Sequence, residues 1–271
     1  MIDFFTIEFM RNAIIASLLI STICSFLGIY IVLRRMVFMG AALAQISSLG
    51  VALAYLFDWN VLVMSFLVTF AGVLFLALVS NKNIPRDSFL GITYAAATGF
   101  AVITIAKSSQ GDSDIFHLLF GSILSVTQKE ILMLLIVFAV IGLFHWRFYK
   151  EILFVSFDSE MAVTLGVNTK LWEILFFLTV GIVIALSIRL AGVILTFSYL
   201  VMPAVAGLLI GRNLRIVIIA ALVFGWIITF TGIAVSFSID LPPSSSIVSA
   251  GAIVLILIYG ILRIISISTK H

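Results

Sequence analysis

The hydrophobic residues of this chain fall in blocks about 20 residues long, the length at which an α-helix crosses the hydrocarbon core of a bilayer. These blocks place membrane helices at roughly 10–33, 37–57, 60–80, 88–106, 129–149, 171–189, 191–210, 214–236 and 246–263. Charged residues make up 10% of the chain and hydrophobic ones 63%, whereas soluble domains carry about 25% and about 45–50%. The expected fold class is therefore an all-α polytopic membrane protein with about eight to nine transmembrane helices. The weakest division lies near Arg189, between the sixth and seventh blocks. The single cysteine, Cys24, sits inside the first block and reads as packing. The net charge of +3 comes from basic residues at segment ends, so nucleic acid is not an expected partner.

The longest polar-rich connection is 150–170, KEILFVSFDSEMAVTLGVNTK. Asp158 or Ser159 can cap a helix there, with Glu160 in its first turn. The run from Glu160 to Leu165 is amphipathic, and Gly166 is suited to end it. A short helix outside the bilayer, between two long apolar segments, can dock into a groove on a soluble partner and transmit motion to the flanking spans. The plainer alternative is a polar connection containing one turn of helix. If 150–170 is cytoplasmic, eleven basic residues lie inside, namely Arg34, Arg35, Lys82, Arg86, Arg147, Lys150, Lys170, Arg212, Arg215, Arg263 and Lys270. Only Arg11, Lys107 and Lys129 then lie outside, with Arg189 near a boundary. The excess of inner basic residues predicts an external N-terminus, a cytoplasmic C-terminus and an odd number of spans.

The connection 107–128 has an apolar centre, Ile115 to Leu124, too short to span. It suits a short helix at the outer surface or in the mouth of a pathway. Asp112, Asp114 and His117 within it can meet a cation at an entrance or simply form an exposed polar loop. The second outer connection, Asp240-Leu241-Pro242-Pro243 followed by three serines, reads as a rigid turn whose serines cap the next helix.

Two blocks carry ladders of small residues, Gly40-Ala44-Ser48-Ala52 and Gly91-Ala95-Gly99, which permit close helix approach in lipid. Both are expected to pack within one bundle. In the second block Gln45, Ser47 and Ser48 are also candidates for lining a pathway, because a buried amide needs hydrogen-bond partners or water.

Enzyme chemistry finds little support. No G-x-x-x-x-G-K-[ST] loop is present, so any ATP that drives the protein is hydrolysed on a separate subunit. The histidines at 117, 145 and 271 are scattered, and acids inside the predicted spans are scarce. His145, beside Trp146 and Arg147, reads as an interfacial anchor.

The motifs run in a recognisable order: Leu33-Arg34-Arg35-Met36, Met39-Gly40, Leu49 to Ala54, Leu118 to Leu124, the Phe157 to Gly166 loop, Ala191 to Leu195, Met202-Pro203-Ala204 and Asp240 to Pro243. In this order and spacing the chain resembles the zinc/manganese/iron class of ABC-importer permeases from about Phe9 to Ile261. The resemblance implies one transmembrane permease domain over 1–271, with a cytoplasmic coupling helix in 150–170 that uses Asp158, Glu160, Ala162 and Gly166. It also implies a short outer gate helix within 107–128, as in the larger cobalamin and siderophore permeases. The implied assembly is a homodimer in the cell membrane with cytoplasmic ABC ATPase subunits that bind ATP and an extracytoplasmic metal-binding protein. No cofactor belongs to the chain itself, and the divalent metal is cargo. Many members read Gly-Asp-x-x-x-His in the second span; here the matching positions are Ala41 and Gln45, which offer neither charge nor nitrogen ligand. A permease for a metal chelate and a stand-alone secondary transporter are the alternatives.

Overall fold

A computed structural model describes residues 8–78, 86–108, 121, 123–157 and 159–268. These residues form helices α1 (Glu8–Leu33), α2 (Val37–Phe57), α3 (Val61–Leu78), α4 (Arg86–Ile105), α5 (Gln128–Arg147), α6 (Tyr149–Phe157), α7 (Ser159–Thr164), α8 (Thr169–Ile210), α9 (Leu214–Ile239) and α10 (Pro243–Ser268), with a 3₁₀ turn at Ile123–Ser125. No strand occurs among the described residues. Short polar signals set the boundaries. Thr127 and Glu130 form a capping box at the start of α5. Asn168 and Asn213 accept the Leu171 and Ile216 amides at the starts of α8 and α9. Asp58 and Asp240, both left-handed, end α2 and α9.

The 42-residue α8 is two crossings. Gly192 breaks it with φ 79° and ψ 169°, a backbone region open essentially to glycine alone. The Phe176 ring meets Tyr30 at 6.2 Å, while Leu200 presses its backbone against Gly28, two residues earlier on the same helix. In a straight helix residues 176 and 200 would lie about 36 Å apart. The chain must therefore reverse at Gly192, giving the arms α8a (169–191) and α8b (192–210). The sequence boundary between 189 and 191 is thus corrected to Gly192, with Arg189 inside a helix. Seven described helices are long and apolar enough to cross a membrane, α8 among them; with its two arms counted separately and the shorter apolar α3 added, nine segments result, within the expected number.

The ends of these crossings sort onto two faces. On one, Asn12 donates to the Val126 carbonyl at 3.3 Å and Gln128 to Glu8 at 3.0 Å. Glu130 pairs with Arg189 at 2.9 Å, and Ser244 donates to the Ala191 carbonyl at 3.1 Å. This face holds the starts of α1, α5 and α10 together with the Gly192 reversal. Ser244 therefore ties α10 to the reversal and is no N-cap, since Pro243 already opens the helix. The opposite face holds the ends of α1 and α5, all of α6 and α7, and the turn at Gly211.

α1 lies at the centre, with 72% of its apolar stretch buried against 11% for α10. One hydrophobic cluster runs from Met10 on α1 to Ile247 on α10. Cys24 is buried within it. The two ladders differ in placement. Gly40, Ala44, Ser48 and Ala52 are buried inside the bundle, as expected. α4 instead packs through Leu90, Ala97, Ala101 and Ile105, while Gly91 and Gly99 face open space and Ala95 is exposed. The expectation that this second ladder packs within the bundle is thus corrected. The larger side chains on the opposite stripe of α4 fill the intrachain seam.

Candidate functional site

The polar interval after α5 folds into two short helices. α5 ends at Phe148 (φ −109°, ψ 28°), and α6 follows at once, burying Ile152 and Val155 against the bundle. α7 then runs Ser159–Thr164. Its end is a Schellman motif. Val167 donates to the Ala162 carbonyl and Gly166 to that of Val163, both at 3.0 Å, and Gly166 takes φ 78°. Ala162 is fully buried, so this small side chain lets α7 lie close to the bundle. Asn168 then caps α8. A six-residue helix cannot hold itself together in water. The glycine cap at one end and the packing of Ala162 give it a fixed shape.

With Ala162 inward, Met161, Val163 and Leu165 are turned out, 52%, 59% and 64% exposed. Met161 and Leu165, four residues apart, lie along one side of this helix and its closing turn, and Val163 lies on another, so exposed apolar side chains flank the inward Ala162 and offer contacts to a partner. The sequence reading chose Asp158, Glu160, Ala162 and Gly166 and passed over these three. Their signal was present, as apolar residues alternating through an otherwise polar connection. Of the chosen residues, Ala162 and Gly166 set the shape of α7. Glu160 lies in its first turn, while Asp158 and the Glu160 side chain fall outside the described residues.

The other candidate groups are dispersed. Ser47 bonds Ser65 of α3 at 2.9 Å, closing on a neighbouring helix. Ser48 is buried with no hydrogen-bond partner among the described residues. Gln45 is half-buried, and Ala41 is buried. Asp112, Asp114 and His117 lie outside the described residues, as does most of the expected gate helix; Gly121 and the Ile123–Ser125 turn are its described end. Among the described residues no three His, Cys, Asp or Glu side chains converge as a metal site.

His145 departs from expectation. It is 2% exposed, its Nδ1 lies 3.0 Å from the Ile141 carbonyl, and Phe26, Phe144 and Phe176 ring it at 5.5–6.1 Å. It is a packed core group, and Trp146, 77% exposed, holds the surface position instead. Adjacent residues on a helix point to different faces, so the shared location in sequence misled.

The family model described as the ABC 3 transport family matches residues 6–261. The chain belongs to the ABC 3 transport family. It is 30% identical over 250 residues to the manganese transport system membrane protein MntC of Listeria monocytogenes, covering 91% of this chain and 88% of that protein. It is 28% identical over 259 residues to the manganese import system permease protein ScaB of Streptococcus gordonii, covering 94% and 91%. Among solved structures, PsaBC from Streptococcus pneumoniae in complex with Fab superposes with a TM-score of 0.85 at 26% identity, covering 95% of this chain and 94% of that one. The resemblance read from the ordered motifs therefore holds. The all-helical membrane architecture is that of the ABC 3 family, and the chain is a transport subunit and not an enzyme.

Proposed function

We propose that this ABC 3 family chain is the permease subunit of an ATP-driven importer that moves a divalent metal ion delivered by an extracytoplasmic binding protein. The observation that carries the reading is α7, a capped helix outside the spans, with exposed Met161, Val163 and Leu165 at and beside it, and joined to α5 through α6 and to α8a through Asn168. ATP-driven closure of a cytoplasmic ATPase pair seated on these residues moves α7 and rocks the spans on either side. Manganese is the cargo named for MntC and ScaB, and zinc or iron fit the same chemistry. At the matching positions of the second crossing, Ala41 and Gln45, the only side-chain donor for a cation is an amide oxygen. Contact with the cation is then weak and transient, and selectivity rests with the binding protein. The outward ladder of α4, Gly91-Ala95-Gly99, is the surface proposed to meet a second copy, because glycines let helix backbones approach in lipid.

Co-purification tests the whole assembly. The tagged permease is expected to bring down an ATPase subunit with two permease copies per complex by mass, while the dialysed permease alone holds no metal. A permease recovered without any ATPase points to a stand-alone transporter and ends the proposal. Elemental analysis of the recruited binding protein separates a bare metal ion from a chelate.

We also propose that the face carrying α6 and α7 is cytoplasmic, in the cell membrane, with residue 8 outside and residue 268 inside. The support is the bias of basic residues, eleven against four once Arg189, paired with Glu130, is counted on the outer face. In a Cys24→Ser background, cysteines at Lys107 and Leu241 should react with an impermeant thiol reagent on intact cells, and one at Lys150 should not. Labelling at position 150 would reverse the orientation.

A further inference from the structure

The α1–α2 connection carries a basic side chain with an unusual set of neighbours. Arg34, just past the end of α1, donates from Nε to Ser156 Oγ at 2.8 Å and from Nη2 to the Ile152 carbonyl at 3.4 Å, both on α6. Its guanidinium also lies over the Phe176 ring of α8a, 4.3 Å from the centroid. Ser156 itself donates to the Ile152 carbonyl, so hydroxyl and guanidinium converge on one point of α6. Phe176 is fully buried and packs against Tyr30 of α1 and His145 of α5. One planar cation thus joins the central crossing to the helix leading into α7 and to the crossing leading out of it. A guanidinium suits this work because it offers a fixed fork of donors on one edge and a flat face for the ring.

From this geometry we infer that Arg34 is the positioning residue that carries movement of the α6–α7 arm into α1. α1 packs against α5, α8 and α9, so a displacement entering at Arg34 spreads through the bundle. α6 is short, and its other anchors are apolar contacts of Ile152 and Val155 that allow sliding. The hydrogen bonds from Arg34 are directional, and they fix α6 to α1 in register. The inference rests on the reading of α7 as the ATPase contact, so its test must separate the two.

The assembled transporter, permease with its ATPase, is labelled with an environment-sensitive fluorophore at one of two exposed positions in a Cys24→Ser background. Lys150→Cys reports α6, and Arg35→Cys reports the end of α1. ATP with vanadate drives the nucleotide-bound state. In the parent both positions should respond. In Arg34→Lys, which keeps the charge but loses the fork and the flat face, the Lys150 position should still respond while the Arg35 response falls about tenfold, the scale of a lost charge-assisted pair of hydrogen bonds. Ser156→Ala, which leaves the cation intact, should lower the Arg35 response about threefold and decides the question if Arg34→Lys does not assemble. A merely structural role would lower thermal stability and dull both positions alike. An unchanged Arg35 response in the assembled variants overturns the inference and leaves the coupling reading standing. Silence at both positions in the parent overturns the coupling reading, and this inference with it.

Discussion

Leu165→Glu should leave the permease folded in the membrane and strip it of its ATPase. Leu165, in the turn that closes α7, is 64% exposed, and no described residue covers it. Burying a leucine against a partner contributes about 1.5–3 kcal/mol, and placing an uncompensated carboxylate in the same contact adds about 1–3 kcal/mol of penalty. Together these lower the affinity by about 100-fold or more. The side chain is exposed and lies before the left-handed Gly166, so the substitution leaves helix and cap intact. Titration of purified ATPase against detergent-solubilised permease measures the loss, and Leu165→Met should bind as the parent does. Full affinity in Leu165→Glu would show that the partner sits elsewhere, and the coupling role of α7 would fall.

Gly192→Ala should damage the fold itself. At φ 79° and ψ 169° a Cβ is strained by about 3 kcal/mol. Gly121 packs directly on the same turn, where a side-chain carbon would collide with the backbone of Leu190, Ala191 and Gly192. The reversal therefore depends on two left-handed glycines meeting without side chains, and there is no slack to absorb a methyl group. A loss of about 3 kcal/mol lowers the unfolding midpoint by about 6–12 °C in a chain of this size. Thermal denaturation in detergent should show this shift, and Gly121→Ala should show a similar one. Gly142→Ala, on a helix with open space around it, should melt with the parent. A Gly192→Ala protein as stable as the parent would mean that the two arms are not joined in this way.

Most of the crossings were legible because lipid imposes a simple rule, a run of apolar residues long enough to span. The α7 helix was legible for a different reason. Glycine at position 166, following an amphipathic turn, has few uses other than ending a helix. α6 was missed because Tyr149 to Phe157 mixes apolar and charged residues without a clear cap, and its first residues merge with the end of α5. The reversal at Gly192 was placed only to within three residues. The nearest charge, Arg189, looked like a loop residue, but it is held in the helix by Glu130. The small-residue ladders were recognised and one was assigned to the wrong surface, since spacing reveals a close-packing face but not what packs there. The Arg34 clasp was out of reach of sequence reasoning altogether. Its partners stand at positions 152, 156 and 176, more than one hundred residues away.

The one-residue turn at Gly192 also bears on how the chain enters the membrane. Between Glu173 and Arg212 the sequence offers the insertion machinery no polar loop, only Arg189, which on the proposed orientation lies on the side disfavoured by the inner bias and is offset by Glu130. The turn therefore carries no topological instruction of its own. On the proposed orientation the basic residues at both ends, Lys170 on one and Arg212 with Arg215 on the other, would retain the two ends on the same side while the apolar stretch between them folds back. On that orientation neither arm has an independent signal for its direction, so α8a and α8b are expected to insert as a single helical hairpin.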